Sequence, residues 1–142
     1  PGAMETPSRE VIVPVVYGGV DGPDLGEVAS FSGCTTEEVV RLHTSVLYRV
    51  YMVGFLAGFP YMGTIDSRIA MPRREVPRLS VPAGSVGIAG IQTGIYPMTA
   101  PGGWRLIGRT AVGRFDPELD SPSFYQPGDR VRFRAVEKVG AP

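Results

Sequence analysis

The chain has 142 residues, which suits one domain with a buried core, and its 14 Lys and Arg balance 14 Asp and Glu. This balance lacks the basic excess typical of nucleic-acid-binding proteins. No apolar stretch approaches the roughly 20 residues of a membrane-spanning helix, no signal-peptide pattern is present, and the single Cys34 cannot form an internal disulfide bond. We therefore expect a cytoplasmic protein with neither a nucleic-acid nor a membrane partner.

Glycine and proline are abundant, with 19 and 14 copies, but they separate apolar runs instead of forming a low-complexity block. This pattern is typical of tight turns between short strands. We expect residues 1–10 to be a cloning scar and a disordered leader. Residues 11–138 are expected to form the domain, and residues 139–142 a flexible tail.

The N-terminal third is predicted to combine one strand with two short helices. Residues 11–17 are rich in β-branched side chains but contain Pro14, which predicts an edge or bulged strand. Residues 25–33 carry one apolar stripe and end at a glycine, which indicates a short helix with a glycine cap. Thr35 and Glu38, three residues apart, match a capping box and predict the start of a second helix.

From residue 48 onward the pattern changes to short strands. Residues 48–55 are apolar at nearly every position, which predicts a strand covered on both faces. In the last strand Val131 and Phe133 alternate with arginines, which predicts one buried and one exposed face. Further strands are expected at residues 85–90, 95–96 and 104–109. The elements together predict a mainly β domain, a closed or nearly closed barrel with a short helical pair near the N-terminus.

The sequence contains none of the common catalytic signatures, and with one histidine and one cysteine no metal site is expected. His43 lies at the end of the second predicted helix. It is the default acid–base candidate because an imidazole titrates near neutral pH. The alternative interpretation is a structural histidine that packs near the following strand. No other catalytic residue is assigned.

Three aromatic residues, Phe55, Phe59 and Tyr61, lie in a glycine-rich segment, residues 54–63. Glycine permits close approach of the backbone, and aromatic rings supply large contact areas. Two interpretations are open: the rings line a pocket or an interface, or they plug one end of the barrel. We expect all three to contribute to a partner interface.

Arg73 and Arg78 each follow a proline, which restricts the backbone and orients the side chain. A guanidinium fork suits carboxylate, carbamate or phosphate, and a solvated surface arginine is the alternative interpretation. Gln92, Thr93 and Tyr96 follow in a turn-rich stretch with the composition of an uncharged polar pocket. We expect Arg78, Gln92 and Tyr96 to converge on one concavity.

The order of several motifs resembles that of a known family. These motifs are Gly54-Phe55-x-x-Gly58-Phe59-x-Tyr61-x-Gly63, Pro72-Arg73, Pro77-Arg78, residues 81–90, Gln92-Thr93-Gly94-Ile95-Tyr96-Pro97, Pro101-Gly102-Gly103-Trp104, Ile107-Gly108-Arg109-Thr110 and Pro127-Gly128-Asp129. Over residues 11–136 the chain resembles the first subunit of the allophanate hydrolase family. This family is also known as the B-type subunit of 5-oxoprolinase, or as carboxyltransferase subdomains C and D.

The resemblance implies a cyclophilin-like barrel that forms the C-terminal domain of one subunit of a two-subunit amide- or carbamate-processing enzyme. That enzyme would be of the allophanate hydrolase or ATP-dependent 5-oxoprolinase type. Its second subunit would be homologous, like allophanate hydrolase subunit 2 or the C-type subunit of 5-oxoprolinase. The resemblance implies no cofactor bound by this domain and ATP used by the full complex. Family members carry an N-terminal subdomain before the segment that matches Val11, so we expect this chain to be inactive alone.

Within the enzyme hypothesis, Arg73 or Arg78 would hold a substrate carboxylate, and Gln92, Thr93 and Tyr96 would orient the amide. The resemblance also implies an alternative function, because one branch of the family inhibits a sporulation histidine kinase. The chain would then be a regulatory binding module. Prolyl isomerisation is a weaker third hypothesis that rests on the barrel type alone, and a fold does not imply a function.

Overall fold

The computed structural model describes residues 9–54, 58–113 and 124–138, so Phe55 and the predicted tail lie outside the described residues. No helix within these ranges is long and apolar enough to cross a membrane. The two helices are α1 (Leu25–Ser32) and α2 (Thr36–Thr44), and Ser67–Ile69 form a 3-10 turn. The strands are β1 (Glu10–Tyr17), β2 (Tyr48–Gly54), β3 (Phe59–Gly63), β4 (Arg78–Val81), β5 (Ser85–Ala89), β6 (Gln92–Ile95), β7 (Ala100–Gly102), β8 (Arg105–Arg109) and β9 (Arg130–Ala135).

Seven of these strands close into a barrel in the order β1-β8-β5-β6-β3-β2-β9, and β1 pairs in parallel with β9 to complete the ring. Strands β4 and β7 form a separate two-stranded antiparallel sheet. The predicted mainly β class, the closed barrel and the N-terminal helical pair are therefore confirmed. Strand β3 covers half of the glycine-rich aromatic segment, residues 54–63.

Strand β1 shows how the barrel accommodates Pro14. The residues from Glu10 to Val15 pair with β9, whereas β8 pairs with β1 only at Val16 and Tyr17. At Pro14 one side of the strand is therefore unpaired, which accommodates a residue that has no N–H donor. The prediction of an edge strand is wrong for the barrel as a whole, because β1 has a neighbour on each side.

Local signals account for both helices. The Thr35 hydroxyl accepts a hydrogen bond from the Glu38 N–H at 3.1 Å, and the Glu38 carboxylate accepts one from the Thr35 N–H at 2.9 Å. This reciprocal capping box fixes the start of α2. At the end of α1, Gly33 has a φ of 72°, which favours glycine, and its N–H completes the helix C-terminus. Both predicted helix boundaries are confirmed to within one or two residues.

Strand β2 differs from the prediction that both of its faces are covered. Tyr48 and Val50 point into the barrel and are fully buried, while Arg49, Tyr51 and Met52 are exposed. The outer face of β2 is solvated because no other layer packs on it in the described part of the chain. The strand that is buried at every position is β5 instead.

A second layer covers part of the barrel and explains the burial of β5. The main core fills the barrel and packs against both helices. A smaller cluster joins barrel residues to the β4·β7 sheet and to the chain on either side of it. Its buried members are Phe59, Val81, Ala89, Tyr96, Trp104 and Leu106. This outer aromatic cluster forms one wall of the largest cavity that we consider below.

Candidate functional site

A cavity of about 360 Å³ lies beside the outer aromatic cluster. It is bounded by one residue of β3, by the connection that precedes β4, and by β7 with the residues after it. We name it the Trp104 groove. Its lining residues are Tyr61, Arg73, Arg74, Pro77, Pro101, Gly102, Gly103 and Trp104.

The apolar wall of the groove depends on packing around Phe59. The Phe59 ring lies edge-on to Trp104 and Tyr96, with ring centroids 5.1 and 5.3 Å apart. It also contacts Tyr61 at 4.9 Å. Glycine is required opposite this ring, because a Cβ at Gly94 would lie 2.6 Å from Phe59. The barrel wall thus holds the aromatic cluster rigid and presents Trp104 and Tyr61 to the groove.

The cationic rim of the groove is supplied by Arg73 and Arg74. The Arg73 guanidinium lies over the Trp104 ring, 5.8 Å from its centroid, a cation–π geometry. Arg73 has no salt bridge with any described residue, whereas Arg74 lies 3.5 Å from the Asp24 carboxylate. Arg73 is therefore the cation that remains available for an anionic ligand.

Asp24 is a buried anchor that fixes the arginine-bearing connection to the barrel. Its carboxylate accepts two hydrogen bonds from Arg78, at 2.7 and 2.9 Å, and one from the Leu106 N–H at 2.7 Å. Burial alone would raise the pKa of Asp24. The bonds from Arg78 and Leu106 and the charge of Arg74 outweigh this effect and lower the pKa below its usual value. Asp24 is thus ionised and holds Arg78 in place.

Two further contacts hold the connection that carries Arg73. The Arg74 N–H donates to the Gly103 carbonyl at 2.7 Å, and the Arg105 side chain donates to the Pro72 carbonyl at 3.0 Å. Because the segment is tied to the barrel on both sides of Arg73, that side chain extends from a fixed backbone. Such preorganisation lowers the entropic cost of binding a ligand.

Tyr96 lies behind the groove lining and carries a buried hydroxyl. The hydroxyl is fully buried; the Trp104 backbone lies close enough to favour its charged form, but the hydroxyl donates to no acceptor among the described residues. It packs against Gly102, where a Cβ would lie 1.9 Å from the phenol oxygen. Burial raises the pKa of Tyr96 and outweighs the opposing effects of the Trp104 backbone and of the Arg73 and Arg78 charges. The phenol is therefore a neutral donor, and an unsatisfied donor of this kind requires an explanation.

Arg78, Gln92 and Tyr96 do not converge on one concavity as expected. Arg78 is bound by Asp24 and lines a smaller cavity of about 150 Å³ instead of the Trp104 groove. The Gln92 amide donates to the Tyr51 hydroxyl on the outside of the barrel and lines neither cavity. Of the three, Tyr96 comes nearest to the groove: it packs against the lining residue Gly102 but does not itself line the cavity.

His43 and Thr93 lie together inside the barrel. The Thr93 hydroxyl donates to the Gly87 carbonyl at 2.8 Å, so it must accept the 2.9 Å bond from His43 Nε2–H. His43 Nδ1 is then the acceptor for the Tyr17 hydroxyl at 2.7 Å. Burial lowers the pKa of His43 to about 3, so the imidazole is neutral.

This network favours the structural interpretation of His43. Its ring stacks on Phe133 with centroids 4.5 Å apart, and neither His43 nor Thr93 lines either cavity. A catalytic role for His43 and a substrate-binding role for Thr93 stay predictions, and each would require access to the barrel interior.

The aromatic residues Phe59 and Tyr61 lie in different positions relative to the groove. Phe59 is fully buried beneath the groove, so it is not the exposed anchor that we expected. The physical reason is the alternation along β3, which directs Phe59 into the outer aromatic cluster. Tyr61 lies at the groove wall and Phe55 lies outside the described residues. The interface role of these three residues stays a prediction.

Sequence reasoning missed three residues that shape the site: Asp24, Arg74 and Trp104. An acidic residue directly before a helix is a signal for an N-cap, but the Asp24 side chain does not cap α1 and instead binds Arg78, 54 positions away. Arg74 was overlooked because it does not follow a proline. Trp104 is the single tryptophan of the chain, and its position after Gly102-Gly103 was a usable signal.

Comparisons with known proteins agree on one family. The family model for the carboxyltransferase domain, subdomain C and D, matches residues 1–125. The chain is 54% identical over 131 residues to the B-type subunit of 5-oxoprolinase from Escherichia coli O157:H7, covering 92% of this chain and 60% of that protein. It is 52% identical over 134 residues to the corresponding 5-oxoprolinase subunit of Bacillus subtilis strain 168, covering 94% and 56% respectively. The chain thus spans about 60% or less of the length of these curated relatives.

Solved structures are similar as well. A crystal structure of a conserved uncharacterised protein from Pyrococcus horikoshii superposes with a TM-score of 0.87 at 51% identity, covering 92% of this chain and 60% of that one. The urea amidolyase of Kluyveromyces lactis matches with a TM-score of 0.72 at 21% identity, covering 91% of this chain and 10% of that one, which supports the fold alone. The chain therefore belongs to the family of the carboxyltransferase domain, subdomain C and D.

Proposed function

We propose that this chain is one part of a multi-subunit, ATP-dependent amide-processing enzyme of the 5-oxoprolinase type, in which the Trp104 groove binds the substrate. The similarity to proteins named as B-type subunits of 5-oxoprolinase supports the type of enzyme. The observation that carries the assignment of the site is the Arg73 guanidinium above Trp104, which forms no salt bridge with any described residue.

The groove suits a small cyclic amide that bears a carboxylate. The Arg73 fork would bind the carboxylate with charge-assisted hydrogen bonds. The Trp104 and Tyr61 rings would pack against the face of a small ring. The Tyr96 hydroxyl is buried behind the lining residue Gly102, and it would donate to the amide carbonyl once a ligand displaced Gly102. 5-Oxoproline combines these groups in one molecule.

The same groove lacks the means to complete the reaction. Among the described residues, its lining contains arginine, tyrosine and tryptophan side chains but no carboxylate, thiol or imidazole. Asp24, the nearest buried carboxylate that we have described, is held by arginines. The domain would therefore position the substrate, while nucleophilic and phosphoryl chemistry would come from other parts of the enzyme.

Several finer statements belong to this proposal. The other parts would include a homologous second subunit, the complex would act in the cytoplasm, and ATP would be consumed by the complex without being bound by this domain. The isolated chain would be inactive. The alternative of a regulatory module that inhibits a histidine kinase stays a prediction from the sequence resemblance.

Reconstitution tests the proposed function. The other 5-oxoprolinase subunits of the same organism are assayed for ATP-dependent ring opening of 5-oxoproline with the parent chain and with Arg73→Gln. We expect Arg73→Gln to lower kcat/KM roughly 10- to 100-fold, because about 1.5–3 kcal/mol of a charge-assisted hydrogen bond is lost. Arg68→Gln, which removes an exposed arginine paired with Asp66, is the matched control and should leave the rate unchanged. Equal rates for the parent and Arg73→Gln would contradict the assignment.

A further inference from the structure

The outer face of the barrel carries a row of arginines along β9 and its neighbour β2. In β9, Val131 and Phe133 point into the core, so Arg130, Arg132 and Arg134 point outward. Arg49 of β2 is exposed on the same side. We name Arg49, Arg130, Arg132 and Arg134 the arginine face.

The strand register places like charges side by side on this face. Arg49 and Arg130 are direct partners in the antiparallel pair of β2 with β9. Like charges directly opposite each other destabilise a sheet. On the other side of β9, Glu10 pairs with Arg130, but Arg132 and Arg134 pair with the uncharged Ile12 and Pro14. The pairing of Arg49 with Arg130 is therefore repulsive, and it does not contribute to the stability of the isolated chain.

None of the four arginines forms a salt bridge with a described residue. Other arginines of the chain do find carboxylates, namely Arg9, Arg68, Arg74, Arg78 and Arg105. Because the whole chain has a formal net charge of zero, a face with four arginines and only one neighbouring carboxylate in the strand register, Glu10, means that the charge is segregated over the surface. Segregated charge steers association with a partner of opposite sign.

The surroundings of the face favour a protein partner over nucleic acid. Ile12, 45% exposed, lies next to Arg132 across the β1·β9 ladder. An apolar residue flanked by arginines is typical of protein interfaces, in which arginine is enriched. Nucleic-acid binding relies on a large positive excess to displace counterions, and this chain has no such excess.

We propose that the arginine face docks a carboxylate-rich surface of another subunit of the enzyme. This inference rests on the proposed function for the identity of the partner, but it assigns the contact to a surface that is separate from the Trp104 groove. The partner's carboxylates would pair with Arg132 and Arg134 and would neutralise the repulsion between Arg49 and Arg130. Ile12 would be covered at the same time.

The proposal makes stability and binding respond in opposite directions to one substitution. Arg49→Glu places a carboxylate opposite Arg130, which converts a repulsive cross-strand pair into an attractive one. The melting temperature of the isolated chain should stay the same or rise. Affinity for the partner should fall, because a docking charge has been reversed. A purely structural arginine would lower both quantities when it is replaced.

The experiment measures binding of the chain to the other 5-oxoprolinase subunits of the same organism by isothermal titration calorimetry at two salt concentrations. We compare the parent, Arg49→Glu and the double variant Arg132→Gln/Arg134→Gln. The control is Arg41→Gln/Arg68→Gln, which removes the same net charge from exposed positions on α2 and the 3-10 turn. We expect both arginine-face variants to lose about tenfold or more in affinity and to show a weaker salt dependence, while the control binds like the parent.

The remaining outcomes would contradict the docking proposal, and one of them would also contradict the proposed function. If the subunits bind the parent and the arginine-face variants equally well, the docking surface is wrong and the proposed function stands. If no subunit binds the parent chain, both the docking proposal and the proposed function are wrong. If a fluorescein-labelled single-stranded oligonucleotide binds more tightly than the subunits and loses affinity in the arginine-face variants, the face is a phosphate-binding surface and the proposal is overturned.

Discussion

Replacing Asp24 by asparagine removes one buried negative charge and keeps the shape of the side chain. The Asp24 carboxylate is 6% exposed and accepts two hydrogen bonds from Arg78 and one from the Leu106 N–H. Asparagine retains a carbonyl oxygen that can still accept from Leu106. The substitution therefore isolates what the charge-assisted interactions of Asp24 with Arg78 and Arg74 contribute to the free energy of unfolding.

The expected magnitude follows from the burial of the partners. Breaking a buried ion pair costs about 3–5 kcal/mol when the remaining charge cannot reach water. The Arg78 and Arg74 side chains are 23% and 32% exposed, so water can hydrate part of each guanidinium. We expect Asp24→Asn to lower the free energy of unfolding by about 2 kcal/mol, or roughly 6–8 °C in melting temperature. Asp24→Ala should cost about 1 kcal/mol more, because the Leu106 N–H also loses its acceptor.

Urea denaturation followed by circular dichroism measures the effect, with the melting temperature as a second readout. Asp21→Asn is the matched control, because Asp21 precedes the same helix and forms no salt bridge with a described residue. A double-mutant cycle with Arg78→Gln should give a coupling energy of about 1 kcal/mol or more. A loss below about 0.5 kcal/mol for Asp24→Asn, equal to that of Asp21→Asn, would refute the role of Asp24 as an anchor.

Three further predictions concern the core and the groove. Between pH 7 and pH 5 the free energy of unfolding should fall as the pH falls, because the pKa of buried His43 is lowered to about 3 and only the unfolded state binds a proton there. The slope approaches about 1.4 kcal/mol per pH unit below about pH 6. His43→Gln should flatten this slope in urea titrations. Tyr96→Phe removes an unsatisfied hydroxyl, so the free energy of unfolding should stay within about 0.5 kcal/mol or rise, while 5-oxoproline binding weakens; a marked loss of stability would mean that the hydroxyl has a structural partner. Gly102→Ala should lower the melting temperature, because its Cβ would lie 1.9 Å from the Tyr96 oxygen, and Gly102→Ala/Tyr96→Phe should recover part of the loss.

The sequence predicted those parts of the fold that depend on local patterns. The capping box of Thr35 and Glu38 and the alternation around Val131 and Phe133 are set by neighbours along the chain, and both are confirmed. Strand β2 was misjudged because Tyr51 and Met52 are apolar and yet exposed. Hydrophobicity alone does not report whether a second layer covers a strand.

The site was harder to predict because contacts distant in sequence decide it. Arg78 is of a residue type that often binds anionic ligands, but its guanidinium is bound by Asp24, 54 positions earlier in the chain. Phe59 is buried because Gly94 on the neighbouring part of the barrel leaves room for its ring. Arg73, which the sequence indicated because it follows a proline, lines the groove, and its role in substrate binding stays a prediction.

The central claim, that the Trp104 groove holds a cyclic amide by its carboxylate and its carbonyl, is tested most directly by the fluorescence of the single tryptophan. The parent chain and Arg73→Gln are titrated with 5-oxoproline, with 2-pyrrolidinone, which lacks the carboxylate, and with cyclopentanecarboxylate, which lacks the amide. We predict that 5-oxoproline changes the Trp104 emission at the lowest concentration and that Arg73→Gln removes its advantage over 2-pyrrolidinone. Equal responses of the parent chain to all three compounds, or an unchanged response of Arg73→Gln to 5-oxoproline, would contradict the claim.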